Sequence, residues 1–104
     1  MAEASFERAQ TVRAHLVIHG LVQGVYFRAS TAEVARARGV SGWVRNAAQD
    51  VEAVLEGPRD AVEGVIAWCH EGPSRAEVER VDVTWEEPEG LQGFTVRYGP
   101  GCRG

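Results

Sequence analysis

The chain contains no lysine. All 11 of its basic residues are arginines, and 15 acidic residues outnumber them, so the formal net charge is −4. This acidic balance disfavours general binding to nucleic acids, which requires a basic surface. A Walker-type phosphate loop is also excluded, because it needs a Gly-Lys-Ser/Thr sequence. An anionic ligand would therefore have to be attracted by a local arrangement of arginine and backbone N–H groups.

The chain has few cysteines and no long apolar run. Cys69 and Cys102 are the only cysteines, which predicts free, dispensable thiols rather than a disulfide framework or a zinc site. A thiol-dependent phosphatase would need a cysteine followed by an arginine in its phosphate-binding loop, and neither cysteine is near the glycine-bearing loop of residues 20–28. No apolar run reaches the roughly 18 residues of a membrane helix. The polar start, "MAEASFERAQ", does not resemble a signal peptide, so we expect a cytoplasmic protein.

The three histidines have no spacing typical of metal ligands. His15 and His19 fall on one face of a predicted strand, four residues apart, which is too far for both to bind one ion comfortably. We therefore expect neither a metal nor another cofactor.

The pattern of apolar residues predicts one α+β domain. We predict strands over residues 12–19, 41–47, 51–56, 81–85 and 94–98, and helices over residues 28–38 and 58–71. This order fits a ferredoxin-like two-layer sandwich, βαββαβ plus a short C-terminal strand, with both helices on one face of a mostly antiparallel sheet. The domain would span residues 11–99, between a flexible arm over residues 1–10 and a flexible tail over residues 100–104.

The stretch "GLVQGVYFR", residues 20–28, joins the first strand to the first helix. A loop bracketed by Gly20 and Gly24 that enters a helix N-terminus can direct several N–H groups at one anion. Arg28 would add a planar cationic fork. The alternative is that the glycines only shape a turn and that Arg28 is a solvated residue at the helix start.

Asn46, at the end of "GWVRN", also requires an explanation, because asparagine is depleted in strands. It could be a turn residue of the hairpin. It could instead be a neutral amide that positions a water molecule or a substrate oxygen.

These two stretches resemble the signatures of the acylphosphatases, of which the first reads Gly-x-Val-Gln-Gly-Val-x-Phe/Tyr-Arg, and the resemblance extends over residues 11–98. It implies a monomeric, metal-independent enzyme that hydrolyses small acyl phosphates to a carboxylate and inorganic phosphate. In that family the loop and its arginine hold the phosphate, and an asparagine orients the attacking water. The resemblance assigns catalysis to Arg28 and Asn46, and phosphate binding to Val22, Gln23, Gly24, Val25, Tyr26, Phe27 and Arg28.

The sequence "NAAQDVEAV" departs from the second signature. The family has a glycine where this chain has Asp50, and the turn here is one residue shorter, which leaves the placement of Asn46 open. We expect Gln49 and Asp50 to form the turn, since aspartate tolerates left-handed conformations. The alternative function is a non-catalytic anion-binding module on the same fold, but the chain ends without further domains, which favours a free enzyme.

Overall fold

Alternating apolar residues form five strands, and two amphipathic segments form helices, in the computed structural model, which describes residues 10–98. The elements are β1 (Thr11–Leu21), α1 (Phe27–Ala37), β2 (Ser41–Ala47), β3 (Asp50–Pro58), α2 (Arg59–Glu71), β4 (Glu77–Glu86) and β5 (Phe94–Arg97). The predicted order of elements is confirmed. Gln10 is the only described residue of the predicted arm, and the predicted tail lies outside the described residues.

The strands form one mixed sheet in the order β4-β1-β3-β2-β5. The pairs β1·β3, β1·β4 and β2·β3 are antiparallel, whereas β5 runs parallel to β2, with Phe94 opposite Gly42 and Arg97 opposite Arg45. The predicted ferredoxin-like, two-layer arrangement is confirmed. None of the helices within residues 10–98 is long and apolar enough to cross a membrane.

The hydrophobic core lies between the sheet and the helices. It includes Leu16 and Ile18 of β1, Leu55 of β3, and Val62, Val65 and Cys69 of α2. The helical spacing of the α2 residues predicts this burial. Burial also raises the pKa of the Cys69 thiol to about 12, which makes it unreactive as a nucleophile at neutral pH. Cys102 lies outside the described residues.

The opposite face of the sheet is polar. His15 pairs with Glu52, while the two ring nitrogens of His19 lie 3.0 Å from Asp50 Oδ2 and 2.9 Å from Asp82 Oδ2. Each histidine is therefore engaged by carboxylates of neighbouring strands rather than by the other histidine.

Glu56 fixes the segment that leads into β5. Its buried carboxylate accepts hydrogen bonds from the backbone N–H groups of Glu89, Gly90 and Leu91, and from the Arg13 guanidinium at 2.7 Å. Burial alone would raise the pKa of this carboxyl, but the four donors together hold it below its ordinary value. The segment is thereby attached to β3, which helps to place β5 beside β2.

Gly20 lies inside β1, so the prediction that it brackets the loop is wrong. It has a φ of 131° at a register shift between β1 and β4, and a Cβ there would lie 2.2 Å from the carbonyl oxygen of Glu77. Glycine is needed here because β4 approaches closely. Pro58 likewise ends β3 and precedes the first residue of α2, Arg59, instead of starting the helix.

The turn between β2 and β3 also differs from the prediction. Ala47 pairs with Asp50, so Asp50 belongs to β3 and the loop consists of Ala48 and Gln49. The left-handed residue is Ala48, with a φ of 55°. The favoured two-residue hairpin loops need a positive φ at their first position, where glycine, asparagine or aspartate is preferred. This alanine therefore adopts a conformation that costs about 1–2 kcal/mol.

We expect Ala48→Gly to raise the free energy of unfolding by about 1 kcal/mol, because glycine relieves the left-handed strain. The matched control is Ala67→Gly on the exposed side of α2, which should lower that free energy by a similar amount. Urea denaturation measures both. Destabilisation of equal size by the two substitutions would contradict the assigned strain.

Candidate active site

Because of the directions in which the strands run, the ends of three strands and the start of one helix meet at one edge of the sheet. β1 and β2 both run antiparallel to β3, and β5 runs parallel to β2. The C-terminal ends of β1, β2 and β5 therefore meet at one edge. The loop after β1 leads there into α1, which returns to the start of β2. Residues far apart in sequence can thus line one site.

The N-terminus of α1 is uncapped. No side chain among residues 10–98 caps it, and its first turn carries no acidic residue. The first helical hydrogen bond runs from the Ser30 N–H to the Tyr26 carbonyl at 3.0 Å, so the preceding N–H groups have no helical partner. In α2, by contrast, Asp60 lies in the first turn and accepts from the Ala61 N–H at 2.9 Å. The positive end of the α1 dipole therefore stays available to an anion.

Two left-handed residues shape the loop that enters α1. Gly24 has a φ of 76°, and Tyr26, the residue directly before the helix, has a φ of 63°. A Cβ built on Gly24 would meet no described atom within 4 Å. The positive φ therefore favours glycine at this position. No neighbouring atom of the described residues would collide with a Cβ there.

A cavity of about 400 Å³, which we call the cradle cavity, lies at this edge. Within the described chain its lining contains one arginine and no acidic residue; it consists of Val22, Gln23, Gly24, Tyr26, Phe27, Arg28, Ala29, Asn46, Val96 and Tyr98. The structure thus brings together all the predicted site residues except Val25. That residue lines a neighbouring hollow instead.

Arg28 lines the cradle cavity, and its guanidinium lies beside another lining residue, Tyr98. The guanidinium carbon lies 5.1 Å from the centre of the Tyr98 ring, a cation–π distance. Among residues 10–98, no carboxylate oxygen lies within 4 Å of it. The planar fork therefore keeps its N–H donors for an anion.

Asn46 faces the same cavity from β2. Alternation along the strand puts it on the same face as buried Val44, the face that the helices cover. Its Oδ1 atom is buried and accepts no hydrogen bond from the described residues. Leaving such an acceptor unpaired costs about 1–3 kcal/mol, so the fold leaves the hydrogen-bonding capacity of this amide unused beside the cavity.

The side chain of Gln23 has a contact that the sequence did not predict. Its Nε2 donates to the carbonyl oxygens of Ala48 and Asp50, each at 2.8 Å. Gln23 therefore ties the loop to the turn that follows Asn46, so the two halves of the site are joined directly.

Val96 and Tyr98 were missed as site residues. Their alternation with Phe94 indicates a strand, but their position depends on the parallel pairing of β5 with β2. No local sequence signal indicates that pairing.

No group of three or more His, Cys, Asp or Glu side chains within residues 10–98 is arranged to hold a metal ion.

Comparison with known proteins identifies the family. A family model described as Acylphosphatase matches residues 14–96. An acylphosphatase of Thermococcus kodakarensis is 59% identical over 86 residues, which cover 82% of this chain and 94% of that protein. One of Natronomonas pharaonis is 53% identical over 87 residues, covering 83% and 95%. The solved structure of an acylphosphatase from Coxiella burnetii has a TM-score of 0.81 at 36% identity, over 84% of this chain and 93% of that one. The chain therefore belongs to the acylphosphatase family and has the family's enzymatic activity, the hydrolysis of acyl phosphates.

Proposed function

We propose that the reaction is metal-independent and takes place in the cradle cavity, with Arg28 and loop N–H groups holding the phosphate and Asn46 orienting the attacking water. The water oxygen attacks phosphorus, the bond between phosphorus and the carboxyl oxygen breaks, and the products are a carboxylate and inorganic phosphate. The observation that carries this assignment is that Asn46 lines the same cavity as Arg28, while its buried Oδ1 has no hydrogen-bond partner among residues 10–98.

Phosphate binding is supported by the electrostatics of the loop. The uncapped start of α1 offers N–H groups and a positive dipole end. The Arg28 fork can donate two parallel hydrogen bonds to phosphate oxygens. We assign phosphate binding to the loop formed by residues 22–28. Because Val25 lines the neighbouring hollow and not the cradle cavity, we assign its contribution to its backbone. Inorganic phosphate, the product, would bind the same groups.

The role of Asn46 follows from what an amide can do. Its Oδ1 can accept a hydrogen bond from water and so orient the water's lone pair toward phosphorus. An amide is not a general base, so its contribution is positioning. Phosphoryl transfer passes through a loose transition state, in which positioning and charge stabilisation supply most of the rate enhancement.

The leaving group makes a strong acid unnecessary. The carboxylate that departs is the conjugate base of an acid with a pKa of about 4, so it needs little protonation as the bond breaks. One arginine, several N–H donors and one amide are then chemically sufficient. A nucleophilic thiol is not required either, and burial raises the pKa of the Cys69 thiol to about 12.

We also propose that the enzyme is a cytoplasmic monomer. The exposed edge strand β4 carries the charged residues Glu77, Glu79, Arg80 and Asp82, and charges on an edge strand oppose pairing with another chain. Cys69 is a buried free thiol, which suits a reducing compartment.

Arg28→Ala and Asn46→Ala should separate binding from chemistry. We expect Asn46→Ala to lower kcat about 10²- to 10³-fold while inorganic phosphate inhibits at near the wild-type concentration. Arg28→Ala should lose both turnover and phosphate binding, because its charge pairs with an anion present throughout the reaction.

Steady-state hydrolysis of benzoyl phosphate and phosphate titration of each folded variant make this comparison. Arg59→Ala, on the exposed start of α2, is the control and should change neither quantity. Poor phosphate binding by Asn46→Ala, or normal binding by Arg28→Ala, would mean that the roles are assigned wrongly.

Activity should persist after exhaustive treatment with a chelator, because the low pKa of the leaving acid removes the need for a Lewis acid. The measurement is benzoyl phosphate hydrolysis before and after treatment with EDTA. Adding back magnesium should change the rate by less than about twofold. A loss of activity that magnesium restores would refute the metal-independent mechanism.

Gln23→Ala should affect turnover more than phosphate binding. It removes two hydrogen bonds to the turn, worth about 1 kcal/mol each, and we expect kcat to fall about 10- to 30-fold. The inhibition constant of inorganic phosphate should change less than about threefold, since the Gln23 side chain bonds the turn that follows Asn46. Gln92→Ala, at an exposed loop position, is the control. Equal losses in kcat and in affinity for phosphate would show that the Gln23 side chain supports only the phosphate-binding loop and does not help to position Asn46.

A further inference from the structure

A second hollow shares Tyr26 with the cradle cavity. It has a volume of about 440 Å³ and is lined by Val25, Tyr26, Ser30, Pro73, Ser74 and Arg75. One wall comes from the loop and the start of α1, and the other from the segment between α2 and β4. We call it the Arg75 hollow. The two cavities therefore adjoin at Tyr26.

The segment that carries Arg75 is held in a defined position. Gly72, with a φ of 71°, ends α2 so close to Phe27 that a Cβ would lie 2.6 Å from the Phe27 ring. A turn follows, closed by a hydrogen bond from the Ala76 N–H to the Pro73 carbonyl at 2.9 Å. The backbone of Arg75 is thus fixed beside the loop by packing on one of the loop's own residues.

The side chains that line the hollow are suited to binding an anion. In the described part of the chain, Arg75 makes no ion pair within 4 Å, and no acidic residue lines the hollow. The hydroxyls of Ser30 and Ser74 add two possible donors. In a chain of net charge −4, two adjoining cavities that each carry an arginine and no acid form a local cationic region.

We propose that the Arg75 hollow binds a second anionic group, so that acyl phosphates whose acyl chain ends in a carboxylate are preferred substrates. This inference rests on the proposed function, because it needs the phosphate in the cradle cavity. The terminal carboxylate would accept hydrogen bonds from Arg75, and the carbon chain between the two groups would lie along Tyr26. Tyr26 is suited to that contact because the residue is 81% exposed.

The test compares two substrates of equal carbon number, adipoyl monophosphate and hexanoyl phosphate. They differ in the terminal group, which is a carboxylate in the first and a methyl in the second. We expect the wild type to have the higher kcat/KM on the adipoyl substrate. Arg75→Gln should lower kcat/KM for adipoyl monophosphate about 5- to 10-fold, mainly through KM, because a remote group contributes equally to ground-state and transition-state binding. Its effect on hexanoyl phosphate should stay within twofold.

Arg38→Gln is the matched control, since it removes the same charge from another exposed site, the residue that follows α1 as its C-cap. It should leave the ratio of the two kcat/KM values unchanged. Equal ratios in the wild type and Arg75→Gln, or an equal loss in Arg38→Gln, would overturn the assignment of the hollow. Hydrolysis of hexanoyl phosphate tests the proposed function separately. If neither substrate is hydrolysed, both proposals fail, whereas hydrolysis with an unchanged ratio overturns this inference alone.

Discussion

The left-handed entry into α1 is the constraint on which the site depends. Tyr26 takes a φ of 63° directly before the helix, a conformation that costs a non-glycine residue about 1–2 kcal/mol. It turns the chain from β1 into a helix whose first N–H groups carry no side-chain cap among residues 10–98. Strain and unpaired donors at the same place both oppose folding. An anion bound there would stabilise the donors, which is the arrangement expected of a binding site.

Strand direction supplies the rest of the site. Because β5 is parallel to β2, Tyr98 follows β5 at the same edge at which Asn46 lies near the end of β2. Glu56 holds the segment before β5 against β3, and Arg36 of α1 donates to the Phe94 carbonyl at 2.8 Å. The ring of Tyr98 thereby reaches Arg28. The contact between Arg28 and Tyr98, which are 70 positions apart in the sequence, thus depends on the parallel pairing of β5 with β2. It depends as well on the hydrogen bonds that hold β5 and the segment before it in place.

Most of the fold could be predicted from periodicity, because the core residues of β1 and α2 recur at strand and helix spacings. Arg28 and Asn46 could be named as candidates from their residue types and positions, whereas their roles followed only from the resemblance to the acylphosphatases. The contacts of Gln23, Val96, Tyr98 and Arg75 could not be predicted in this way. Each depends on which strands are neighbours or on which loop packs on which, and neither is encoded in a local pattern. The positive φ of Tyr26 also lacks a sequence signal, since glycine is the usual residue there.

The turn between β2 and β3 forms without a glycine. Asp50 pairs with Ala47 as a strand residue, and Ala48 takes the left-handed conformation. The turn is then held from two sides. Gln23 donates to the carbonyls of Ala48 and Asp50, and on the polar face the Asp50 carboxylate lies 3.0 Å from His19. Because both restraints act within a few residues of Asn46, the two-residue loop is held in place while Asn46 lines the cavity.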